Sequence, residues 1–71
     1  MRLTYVISER PLNWADVEIK TPRNLGAVPN GGTIYVVGKL PFNPYETEQF
    51  YFECKARGIK VQRATVDGVP I

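Results

Sequence analysis

The chain predicts an α+β fold: a two-layer domain with a mixed four-stranded sheet and one helix packed on one face, in the order β-β-β-α-β. Three observations carry that expectation. Polar and apolar residues alternate over residues 2–8 and 14–20, which is the period of a pleated strand. Ile34-Tyr35-Val36-Val37 make an unbroken run of β-branched and aromatic residues, as in a strand buried on both faces. Residues 44–57 open on Asn43-Pro44 and stop at Gly58, the punctuation of a helix. With 71 residues, 44% hydrophobic and 23% charged, the composition is that of one small folded domain over residues 1–71 rather than a disordered segment. A chain this short hides only about 60% of its surface on folding, so the expected core is single and thin.

The elements follow in order. Leu3, Tyr5 and Ile7 alternate with Arg2, Thr4 and Val6 and mark an interior first strand over 2–8. Pro11 and Asn13 break it, because proline cannot donate to a ladder and asparagine favours turns. Over 14–20, Ala15, Val17 and Ile19 oppose Asp16, Glu18 and Lys20, the pattern of a half-buried antiparallel strand with one wet side. Residues 21–32 hold two prolines, two asparagines and three glycines, and read as a long irregular loop that ends in an Asn30-Gly31-Gly32 reversal. The third strand, 33–40, is the expected sheet centre. Asn43 as N-cap, Pro44 at the first helical position and Glu46 three residues after the cap complete a capping box; Arg57 and Gly58 close the helix. Residues 59–66 form a fourth strand, interrupted by Arg63. Asp67-Gly68 turns the chain into a short tail, and the strand-helix-strand unit 33–66 should cross over with a right hand.

The composition narrows the function classes. The chain has no histidine and one cysteine, Cys54, which removes a disulfide framework, a Cys/His zinc site and a Ser-His-Asp triad. We therefore expect no catalytic set, no metal, no cofactor and no small-molecule substrate, and hence no enzyme. Cys54 reads as a buried, inert thiol. Gly26, Gly31 and Gly32 stand in the wrong order for a phosphate loop and are explained by turns. Asp16 and Glu18 read as a solvated strand edge rather than a carboxylate pair. The first residues lack the apolar run of a signal peptide and nothing approaches the ~18 apolar residues of a membrane span, so a cytoplasmic setting without a membrane partner is expected.

The helix is apolar twice. At 100° per residue, Thr47, Phe50, Tyr51, Cys54 and Gly58 share one side, while Tyr45, Gln49, Phe52 and Ala56 form a second stripe roughly opposite. Charged seams divide them, with Glu46, Glu53 and Arg57 on one flank and Glu48 and Lys55 on the other. One sheet and one helix enclose one interior, so one stripe needs other cover, and the sequence leaves open which. Leu25 and Val28 of the long loop could fold over it. Otherwise it is a surface for another protein or for self-association.

The first functional expectation is thus a small protein-binding module, an inhibitor or adaptor, acting through Tyr45, Gln49, Phe52 and Ala56, with Trp14 as a further anchor. In size and layout the chain resembles, in style, the accessory proteins of bacteriophages that seize host machinery, which would imply a viral protein; the likeness covers no motif and carries no residue across. The alternative is a nucleic-acid-associated protein that holds phosphates with Lys55, Arg57, Lys60 and Arg63, four cations in a stretch without an acid. The net charge of +2 is too weak by itself to favour that reading. A structural subunit stable only in an oligomer is the other alternative.

Overall fold

The computed structural model describes residues 3–71. Arg2, the first residue of the expected opening strand, lies outside them. Within the described residues the chain is an α+β fold with a four-stranded sheet and one helix. Strands β1 (Tyr5–Ile7), β2 (Val17–Glu18), β3 (Thr33–Val37) and β4 (Lys60–Ala64) lie in the spatial order β2-β1-β3-β4, with helix α1 (Pro44–Ala56) between β3 and β4. β1 and β3 are interior, as their apolar runs predict.

The sheet is parallel throughout, which corrects the expectation of a mixed sheet. The error lies in the second strand. Only Val17–Glu18 pair, and they run parallel to β1, not antiparallel. Alternation reports which side of a strand is wet; it carries no information about direction. Val17 and Ile19 do turn inward, while Asp16 and Lys20 are exposed and Lys20 Nζ meets Glu18 Oε1 at 3.4 Å. Asp16 has a structural task, because its Oδ2 accepts the Thr4 backbone N–H at 2.7 Å and so ties the start of β1 to this edge.

Direction is set by where the connections lie. Residues 8–16 return from the end of β1 to the start of β2 without a helix, over a face of the sheet where Leu12, Trp14 and Ala15 pack on Val6, Val37 and Ala64. The β2–β3 and β3–β4 connections run toward the other edge of the sheet and place Leu25, Val28, Phe50 and Cys54 on the opposite face, against Tyr5, Ile7, Ile34 and Val36. Crossovers that move in opposite directions lie on opposite faces, as one common hand for all of them requires. The sheet therefore has two interiors, not one. The thinner lies under residues 8–16 and is closed by the chain end: Trp14 packs edge-on against Tyr35 at 6.3 Å, and its Nε1 donates to Val66 O at 2.8 Å.

The segment 21–32 is not irregular. Pro22–Ala27 form a 3-10 helix, entered through Asn24, whose Oδ1 accepts the backbone N–H groups of Lys20 and Thr21 at 2.9 and 3.0 Å. This back-bond from the third residue to the cap is half of a capping box, set by two positions, whereas proline and glycine counts report only the absence of long elements. Leu25 and Val28 are both fully buried in the helix-side core. The tail also folds: Ala64 bridges Pro70 in antiparallel fashion, Thr65 N–H donates to Val69 O at 2.9 Å and Ile71 N–H to Arg63 O at 3.0 Å, around Gly68 at φ +85°.

α1 ends as the sequence predicts. Asn43 Oδ1 accepts Glu46 N–H at 2.8 Å and Asn43 N–H donates back to Glu46 Oε1 at 3.1 Å. At the far end Ile59 N–H donates to Cys54 O at 2.8 Å and Gly58 N–H to Lys55 O at 3.3 Å, with Gly58 at φ +67°. That pair of bonds is the Schellman closure, which uses a left-handed residue that glycine adopts without strain.

Candidate functional site

The inner side of α1 is narrower than the five-residue stripe predicts. Phe50 and Cys54 are buried and Thr47 is half-buried, but Tyr51 and Gly58 are exposed. Tyr51 sits at the margin, its ring edge-on to Phe50 at 5.2 Å. Phe42, just before the N-cap, packs on Phe50 from the other side at 5.5 Å. Burial pushes the Cys54 thiol above its ordinary pKa, with Arg57 nearby acting in the opposite direction. Raised, enclosed thiols are poor nucleophiles.

The outer side carries the remaining apolar residues into solvent. Tyr45 is 68% and Phe52 75% exposed, Gln49 and Ala56 are exposed between and beyond them, and Gln49 Nε2 donates to the Tyr45 hydroxyl at 3.1 Å. Tyr45, Gln49 and Phe52 line a shallow hollow whose walls are completed by Glu48 on one flank and Glu53 on the other. The sequence placed these carboxylates in the seams beside the stripe; their role as walls of the hollow follows from the same spacing once the stripe is known to face outward. Leu25 and Val28 do not cover it. They lie on the opposite side of the helix, in the core with Phe50 and Cys54.

Arg57 explains where the loop goes. Its Nε donates to Asn30 Oδ1 at 2.6 Å, its Nη1 to Leu25 O at 2.8 Å and its Nη2 to Val28 O, while Gly31 N–H donates to the Arg57 carbonyl at 3.0 Å. A planar fork with fixed donors suits three acceptors around one bend. Charge-assisted bonds of this kind contribute about 1.5–3 kcal/mol each where they are shielded from water. This clamp holds residues 25–31 against the inner side and end of α1, away from the outer stripe. Sequence spacing places Arg57 at the helix end and in the basic stretch but does not reveal the clamp, because its partners, two backbone carbonyls and the Asn30 amide, are remote in sequence.

The basic stretch does not assemble. Arg57 is committed to the clamp. Lys60 and Arg63 are three residues apart on one strand and so point to opposite faces, and Arg63 Nη1 donates to Gly38 O at 3.1 Å. Lys55 stands alone in the last turn of the helix. Trp14 also departs from expectation: it is half-buried, with its ring under Gly68 and its N–H already paired, and it belongs to the second core rather than to the outer stripe.

Two other surfaces stand out. A polar cleft of about 580 Å³ at the amino ends of β1 and β3 is lined by Leu3, Thr4, Tyr5, Tyr35 and the backbone around Gly31. Its described lining carries no Asp, Glu, Lys or Arg. Val66, Val69 and Ile71 are exposed around the terminal turn. Among the described residues no helix is long and apolar enough to cross a membrane. No protein-family model, no curated protein and no solved structure matches this chain.

Proposed function

We propose that this chain is a small, non-enzymatic protein-binding module that docks the outer face of α1, through Tyr45, Gln49, Phe52 and Ala56, into an apolar groove of a larger protein. One observation carries the reading: two large aromatic side chains stand in solvent on a rigid, doubly capped helix, while the apolar residues that could have covered them are held elsewhere by Arg57. Leaving such side chains wet forgoes about 1.5–3 kcal/mol each, which is a large sum in a domain of this size. Aromatic residues ringed by polar ones are the usual composition of an interface anchor.

Area favours a groove over a flat contact. Fully buried aromatic side chains hide about 150–250 Å² each, so the stripe supplies only a few hundred Å², well below the ~800 Å² per partner of a standard interface. A concave partner that wraps the helix gains contact along its flanks as well, which is the helix-in-groove mode of recognition.

The test places a photo-crosslinking amino acid at position 52, at position 45 and, as a control, at Arg23 on the exposed 3-10 helix. Proteins from cells that express the chain are then captured. The reading expects one protein captured from positions 52 and 45 and not from 23, with capture suppressed by excess unlabelled wild type and not by folded Phe52→Ser. Equal capture from all three positions, or equal suppression by both competitors, overturns it.

A further inference from the structure

We infer that the groove which receives α1 carries Lys or Arg along both walls. The inference rests on the docking reading above and adds the chemistry of the partner. Glu48 and Glu53 flank the hollow between Tyr45 and Phe52, one on each side, so a groove deep enough to hold the rings brings its walls against both carboxylates. Among the described residues Glu48 is not neutralised and Glu53 is neutralised only in part. Glu48 makes no hydrogen bond or ion pair among the described residues. Glu53 is half exposed and has a single long contact, 3.7 Å to Arg57 Nη1, from a guanidinium already engaged with Leu25, Val28 and Asn30. Carboxylates pressed against an apolar wall lose hydration that only a cation or a set of donors can replace.

The same charges argue against a second copy as the occupant. If two outer faces met antiparallel, each flank would oppose its own copy: Glu48 could then meet Lys55, but Glu53 would meet only Glu46, Glu53 and an Arg57 already engaged with Leu25, Val28 and Asn30. In a parallel arrangement the flank with Glu46 and Glu53 would oppose Glu48 and Lys55, one cation against three carboxylates. Lys55, near the end of the helix, is the one cation on either flank that is not already engaged within the fold. Like charges in register disfavour pairing, and a stripe of this area has little to set against them. A heterologous groove with basic walls meets neither obstacle, and its field would also speed encounter.

The experiment uses the chain labelled at position 52 as probe and unlabelled variants as competitors for the captured protein. Wild type, Glu48→Gln, Glu48→Gln/Glu53→Gln and Phe52→Ser are compared, each first shown by thermal melting to be folded. The double neutral variant should require about tenfold more protein than wild type for the same suppression, the order expected for two partly shielded ion pairs. Raising the salt concentration should shrink that difference. Glu48→Gln alone, which breaks no hydrogen bond or ion pair among the described residues, should show part of the loss. Neutral variants that compete as well as wild type at low salt overturn the basic groove and leave the docking face standing. If Phe52→Ser competes equally, the docking face fails and the groove falls with it. Capture of a second copy of this chain would overturn the choice of partner.

Discussion

Phe50 and Phe52 stand two residues apart on one helix. The first is fully buried between Phe42, Tyr51 and the sheet, and the second is 75% exposed. Their residue type is the same, their helix is the same, and the stripes that contain them are similar in apolar content. What separates them is the chain on either side of the helix. Phe42 precedes the N-cap and Ile59 follows the closing glycine, and both pack into the core that holds Phe50 and Cys54. Apolar residues just outside the two caps pack back onto one side of a helix, and that side becomes the inner one. The phase of α1 is thus set at its ends rather than by its amphipathicity, which nearly cancels.

Substitutions that break the inner side should have the largest effect. Phe50→Ala should cost about 3–5 kcal/mol in urea unfolding, against a total of about 4–10 kcal/mol for a domain of this length, so a large share of the stability should be lost. A loss below 1 kcal/mol would show that the inner side is loosely packed. Arg57→Ala should cost about 2 kcal/mol by removing the fork that ties residues 25–30 to the helix end, and Arg57→Lys should recover less than half, since a point charge cannot replace three fixed donors. Full recovery by lysine would make the clamp a simple charge effect.

Asn43→Ala, which unsatisfies one end of the helix without touching either side, should cost about 1 kcal/mol by thermal denaturation. Cys54 gives the comparison a pH axis. Its pKa is raised in the folded chain, so below the ordinary value of 9.0 both states hold the proton and the thiol adds no pH dependence. As pH rises past that value the unfolded chain ionises first, and stability should fall with pH until the folded value is also passed. A Cys54→Ala variant should lose this component. The smallest effect belongs to the outer side. Phe52→Ser should change stability by less than about 0.5 kcal/mol, as for other exposed positions, while abolishing competition for the docked partner. A loss comparable to that of Phe50→Ala would mean that the outer ring has a packing role in the fold.

Much of this architecture can be read from local signals. The capping box at Asn43 and Glu46, the glycine stop at Gly58, the buried run Ile34–Val37 and the inward turn of Val17 and Ile19 each depend on a few neighbouring residues, and each appears at or within a residue or two of its expected place. The outer stripe was also visible as a periodic set, Tyr45, Gln49, Phe52 and Ala56. Whether it would face water was not, because that depended on Leu25 and Val28, whose position is fixed by carbonyl contacts to Arg57 across the fold. Trp14 shows the same limit: its place in the second core is set by Tyr35, Val66 and Gly68, all distant in sequence.

The sequence by itself determined the number of strands and the limits and caps of the helix, since hydrogen-bonding side chains, glycine dihedrals and strand period act over a turn or less. The tertiary structure alone decided that the sheet is parallel, that it has a core on each face and that one side of α1 is left bare. Those outcomes turn on which face each connection crosses, and a connection is placed by contacts whose partners lie tens of residues away.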